Sequence, residues 1–175
     1  MPEIPPKVKA YLVSPNVLAR EQLRQSYPDL EQVMSDPQTR KAIVDWLTSD
    51  DAWVEANASF AMRCLEFLLE NASEEDATVV KTFLLHPDPL VRLRAFEFLL
   101  TLYFPDKNRE AMFLLLHSML FDSDDPVRVV GASYIDRANA IGELRQFLQR
   151  WIKVAISRGW ENTRSYELVG QLLAR

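Results

Sequence analysis

Apolar and polar positions recur along this chain on two scales. Within one segment Val91, Ala95, Phe98, Leu99 and Leu102 fall at i, i+4, i+7, i+8 and i+11, the spacing that gathers side chains on one face of an α-helix. On a longer scale Leu47, Asp51, Val54 and Ala58 return as Leu84, Asp88, Val91 and Ala95, each 37 residues on. They return again as Leu120, Asp124, Val127 and Gly131, each 36 further. A supersecondary unit repeated at this interval cannot bury its apolar face alone, so neighbouring copies are expected to stack into a shared core.

Each unit reads as a pair of helices. The first starts at a carboxylate, where Asp88 can cap exposed amides and Pro89 suits a first helical position that needs no N–H. Asp124 and Asp125 before Pro126 repeat the signal, and Asp51 takes the capping position in the earlier copy, with Ala52 and Trp53 following. The second helix keeps the period through Val80, Leu116 and Ile152, and through Phe83, Met119 and Ala155, each 36 apart. Breaks are expected at Asn71 to Ser73, Pro105-Asp106 and Asn139 to Gly142, turn lengths that suit antiparallel neighbours. The reading divides the chain into an irregular N-terminal helical cap (1–36), repeats (37–157) and a C-terminal capping helix (158–175).

Composition agrees with a helical, globular chain: 48% apolar, 26% charged and four glycines in 175 residues. Cys64 is the only cysteine, which removes an internal disulfide and the usual zinc arrangements. The start has no cationic segment leading into an apolar run, and Met112 to Leu116 is far too short to span a bilayer. A cytoplasmic protein without a membrane segment is expected. The formal charge of −5 is uneven. Residues 45 to 90 hold ten acids against Arg63 and Lys81, whereas from 140 onward Arg145, Arg150, Lys153, Arg158, Arg164 and Arg175 face only Glu143, Glu161 and Glu167. Such polarity can orient a partner.

The phrase Leu85-His86-Pro87-Asp88-Pro89-Leu90-Val91-Arg92-Leu93-Arg94-Ala95 resembles a HEAT repeat of the short bacterial type called phycobilisome-lyase HEAT-like. Asp124-Asp125-Pro126-Val127-Arg128 with Gly131 is a second match, and Asp51-Ala52-Trp53-Val54 with Ala58 a third, with Glu55 where the family has arginine. The resemblance covers residues 38 to 157. It implies an all-α, right-handed superhelical solenoid of about three helix pairs between capping helices. It also implies that Arg92 and Arg128 reach along the stack toward an aspartate of a neighbouring repeat, as structural residues beside Asp51, Asp88 and Asp124. The motif is informative about fold and nearly silent about function.

Catalytic signals are sparse. His86 and His117 stand 31 residues apart with no third metal ligand at a useful spacing, and both read as surface or helix-edge residues. Neither is followed by the glutamate with which the HEAT-like deoxyhypusine hydroxylases hold iron. No Gly-rich phosphate loop or serine nucleophile elbow occurs. No cofactor, metal or catalytic residue is therefore expected.

In the resembled family the second helices line the inner surface. In that register Lys81, His117 and Lys153, each 36 apart, form a column with Leu114 and Arg150 beside it. These five are the expected partner-binding residues of a non-enzymatic scaffold or adaptor for a protein partner, with Phe147 a further apolar contact. Two alternatives remain: a nucleic-acid-binding module related to the HEAT-like alkylpurine DNA glycosylases, or a regulatory subunit of an enzyme. Trp46, Trp53, Trp151 and Trp160 would serve the first, but the acidic middle of the chain opposes a DNA-wrapping surface. Trp46 and Trp151 fall in apolar stripes and read as core.

Overall fold

The structure is a computed structural model that describes residues 3–70, 72–103 and 108–175. Every regular element among them is helical. The expected breaks at Asn71 and at Pro105-Asp106 lie outside the described residues. The chain forms two compact units, Met1–Leu99 and Leu100–Arg175. That division runs through a helix and partitions the chain differently from the cap, repeat and cap segments.

The N-terminal unit contains α1 (Pro6–Leu12), α2 (Val17–Ser26), α3 (Leu30–Met34), α4 (Pro37–Leu47), α5 (Ala58–Glu70) and α6 (Ala77–Thr82), then the start of α7 (Pro89–Tyr103). Local chemistry sets several of these starts. Asn16 accepts the N–H of Ala19 at 2.9 Å and Asp36 that of Gln38 at 2.8 Å, while Pro37 fills the first turn of α4. α1 packs on α2, α3 and α5, and α4 packs on α3 and α5. Val8, Leu30, Ile43, Leu47, Leu65 and Leu68 close the core between them.

Asp51 does not open a helix. Residues Asp50–Trp53 and Glu55–Asn57 are short 3-10 turns, and α5 begins at Ala58. Trp53 lies on Phe83, ring centroids 5.4 Å apart, and Val54 is extended. The Asp51 carbonyl accepts the Val54 N–H that closes the 3-10 turn at 3.3 Å and also the Asn57 side-chain amide at 2.9 Å. The unit that lacks both the proline and the arginine is thus the one whose first helix starts late. Farther on, α4 and α6 run parallel, because Arg40 in α4 pairs with Asp76 before α6, and the carbonyl of Ala52 beyond α4 meets His86 beyond α6.

The C-terminal unit contains α8 (Arg109–Leu120), α9 (Asp125–Arg137), α10 (Ile141–Ser157) and α11 (Arg164–Leu173). Asn108 caps α8 through Ala111 at 3.0 Å. Between α9 and α10 the chain turns at Asn139, whose φ of 49° is left-handed, a conformation asparagine tolerates better than most residues. α9 packs on α8 and α11, and α10 packs on α11.

Two registers order this unit. Arg109 pairs with Glu143 at 2.6 Å, His117 stacks on Phe147, and the buried Trp151 indole donates to the carbonyl of Leu120. Both numbers rise together, so α8 and α10 are parallel. Likewise Asp125 accepts from the backbone of Arg164 and Ser165, and Asp136 pairs with Arg175, which makes α9 and α11 parallel. The residue separations across these contacts, 30 to 40, bracket the sequence period.

Candidate interaction surface

The inward face of α8 carries Met112, Leu115, Leu116, Met119 and Leu120, all buried. Helical geometry therefore turns Leu114 and His117 outward, and Leu114 is 66% exposed. On α10 the buried set is Leu148, Trp151 and Ala155, which leaves Arg150 and Lys153 in solvent. These two line a shallow groove of about 350 Å³ with Gln146 and Gln149. Neither cation makes an ion pair among the described residues. Lys81 is exposed in the last turn of α6, in the N-terminal unit.

Aromatic rings frame the C-terminal surface. The His117 ring is stacked on Phe147 at 4.4 Å and tilted against Phe121 at 5.0 Å. The Arg158 guanidinium lies 5.5 Å from Phe121 and 5.0 Å from Trp160. Cations over ring faces are attracted by the aromatic quadrupole, so these groups form one continuous row. Phe121, Arg158 and Trp160 were not singled out as binding residues by the repeat register. They sit at a helix end and in the following turn, where helical periodicity carries no signal; the aromatic-basic spacing Trp160 to Arg158 was the visible clue.

The residues of the repeated phrase do structural work. Asp88 Oδ1 accepts the N–H groups of Leu90 and Val91 at 2.8 and 3.3 Å, closing the first turn of α7. Arg92 donates to the carbonyls of His86 and Pro87, and Arg128 donates to those of Asp122 and Ser123, all at 2.8 to 2.9 Å. The offsets are the same, six and five residues back. Each arginine thus clamps the turn that leads into its own helix.

Arg128 does more. It is 2% exposed and donates to Ser165 Oγ at 3.2 Å and to Asp125 at 3.1 Å, and its guanidinium covers Trp160 at 3.9 Å. The aspartate it meets, Asp125, belongs to its own helix, and both side chains cross to α11: Arg128 to Ser165 Oγ, and Asp125 to the backbone N–H groups of Arg164 and Ser165. Asp124, expected as the cap, makes no capping bond through its side chain, because Ser123 Oγ holds its Oδ2 at 2.8 Å. Burial alone would raise the Asp125 pKa. The Ser165 hydroxyl and N–H, with Arg128 and the Arg164 N–H, hold it below the ordinary carboxylate value.

His86 corrects the surface reading: it is 1% exposed. The Asp88 N–H donates to Nδ1 at 3.1 Å, so the proton sits on Nε2 and points at the Ala52 carbonyl, 3.3 Å away. Trp46 is a correction too, since it is half-buried with its ring edge against Phe60. Burial pushes the Cys64 thiol up, away from thiolate chemistry. Among the described residues no three His, Cys, Asp or Glu side chains are grouped to hold a metal ion, and no helix is long and apolar enough to cross a membrane.

No family model, curated protein or solved structure matches this chain. The C-terminal surface presents two cations unpaired among the described residues, Arg150 and Lys153, beside a row of rings already covered in part by His117 and Arg158.

Proposed function

We propose that this protein is a non-enzymatic HEAT-like repeat adaptor of the cytoplasm that captures an acidic segment of a protein partner. The capturing surface is the α8 and α10 face of the C-terminal unit. The observation that carries this reading is the coincidence of Arg150 and Lys153, both exposed and without an acid partner, with the His117 and Phe147 stack and the exposed Leu114. Apolar anchors surrounded by unpaired like charges suit recognition of an acidic stretch with an apolar residue in it. The parallel registers of α8 with α10 and of α9 with α11 support a solenoid of helix pairs; its right hand and its caps, residues 1–36 and 158–175, rest on the resemblance. Lys81, in the other unit, is not part of this face.

Capture from a native lysate, with and without nuclease, followed by association kinetics of the recovered partner tests the proposal. Arg150→Glu with Lys153→Glu should slow association and flatten its dependence on salt, with the melting curve nearly unchanged. An unaltered association rate removes this face from the proposal. A second reading, binding of single-stranded nucleic acid, is favoured by Arg158 between two rings, since base stacking on aromatic faces beside cations is the usual device. Nuclease-sensitive capture would select it.

A further inference from the structure

The N-terminal unit carries a second concavity of opposite charge. Beside Trp46 and Phe60 lies a cavity of about 530 Å³, and a neighbour of about 380 Å³ shares Trp46, Phe60, Lys9 and Asp51 with it. The two rings meet edge to face, 4.6 Å between centroids and 68° between planes. They form the apolar floor. Three acidic residues, Glu3, Asp45 and Asp51, line the first cavity, against a single cationic one, Lys9. Glu3 and Asp51 make no ion pair among the described residues, and Asp45 has a long contact of 3.5 Å to Lys41. The Lys9 ammonium stands 5.6 Å from the Phe60 ring, so a ring of this floor already faces a cation.

We infer that the Trp46 and Phe60 cavity binds an arginine side chain of an extended, basic peptide segment of a partner. Charge complementarity chooses a cation, because three acidic residues outnumber one ammonium around this half-open concavity. The shape of the floor chooses arginine over lysine. A planar guanidinium stacks on aromatic faces and pairs a carboxylate bidentately, while its aliphatic stem covers the apolar wall. The adjoining cavity receives the next side chain of the same segment. This site is independent of the α8 and α10 face, lies in the other unit, and would survive failure of the proposed function.

The test is fluorescence anisotropy with the full chain and a fluorescein-labelled octapeptide in which arginines alternate with leucines, compared with its twin in which citrulline replaces arginine. Citrulline keeps the shape and removes the charge. The arginine peptide is expected to bind saturably and about tenfold more tightly than the twin, the effect of one desolvated charge interaction. Glu3→Gln with Asp51→Asn should erase most of that preference. Lys9→Gln should tighten binding by about two- to threefold by removing the competing cation. Glu74→Gln with Glu75→Gln, acids outside the cavity, should change nothing, and the Trp46 indole N–H resonance should shift on saturation. Equal affinity for the two peptides, equal weakening by the Glu74 and Glu75 pair, or an unmoved Trp46 resonance overturns the assignment.

Discussion

The carboxylate of Asp125 accepts the backbone N–H of Ser165 at 3.3 Å, across an interval of 40 residues. Its other oxygen accepts the N–H of Arg164 at 3.1 Å. A residue of α9 therefore caps the start of α11, where unsatisfied amides and the positive end of the helix dipole favour an anion. Thr163 caps the same helix locally through Tyr166. The crossing acid adds what a local cap cannot, namely a fixed distance between neighbouring helix starts.

This link makes a pH prediction. The Asp125 pKa is lowered in the folded chain, so its contribution is fully present above the unfolded value near pH 4 and is lost as pH falls through the folded value. Asp125→Asn should be less stable than wild type at neutral pH, and its stability should fall less steeply between about pH 4 and pH 2. Urea melts across that range measure both. Parallel acid limbs for the two proteins would show that Asp125 is not held as an anion by its neighbours.

Arg128 and Arg92 clamp equivalent turns. Arg128→Ala leaves the carbonyls of Asp122 and Ser123 without this donor, takes one donor each from Asp125 and Ser165, and bares the face of Trp160 that the guanidinium covers, in a site where the side chain is 2% exposed. A loss of about 3–5 kcal/mol is expected, the cost of breaking a buried charge network from one side. Arg92→Ala should cost about 1–3 kcal/mol, the scale of a charge-assisted hydrogen bond lost. Denaturant midpoints of the two variants measure both losses. Arg128→Lys should not rescue, since an ammonium cannot present the planar fork that reaches both carbonyls and the acid.

Much of this architecture is legible in the sequence because the repeat fixes positions independently of contacts. The starts of α7 and α9 follow from Asp-Pro steps, and the outward register of Leu114, His117, Arg150 and Lys153 follows from helical spacing against the buried stripes. What escaped has a physical reason in each case. Asp51 sits in the same phrase as Asp88, yet without the following proline and the arginine its segment forms 3-10 turns, with Trp53 lying on Phe83. His86 reads as a turn residue, but its ring replaces a backbone partner for both Asp88 and Ala52, which only tertiary packing can arrange. The Trp46 and Phe60 cavity needs the irregular N-terminal segment laid beside α4 and α5. No periodicity encodes that placement.

The His86 tautomer can be checked directly. Nitrogen NMR of the ring should show Nε2 protonated and Nδ1 as the acceptor in the neutral protein, the arrangement the Asp88 N–H requires. His86→Ala removes both bonds and a ring packed near Trp53 and Phe83, and should cost about 2–4 kcal/mol. His86→Asn, which offers both a donor and an acceptor, should recover part of it. Full stability of the alanine variant would mean that the turn holds without this ring.

Gly131 and Gly170 should respond to alanine with opposite signs. A Cβ at Gly131 would stand 2.8 Å from Met119 Cβ, an atom too close to its own backbone to move aside. Helices α8 and α9 would have to separate, and overpacking of this kind costs about 1–3 kcal/mol. At Gly170, inside α11, a Cβ meets nothing within 4 Å. Alanine there restricts the unfolded chain and suits the helix, so Gly170→Ala should gain about 0.5–1 kcal/mol. For a chain of this size each kcal/mol moves the melting temperature by about 2–4 °C, so the two variants should melt clearly on either side of wild type. A neutral Gly131→Ala would mean that α8 and α9 do not approach as closely as the missing side chain allows, and that the small residue closing the repeated phrase has no role in stacking.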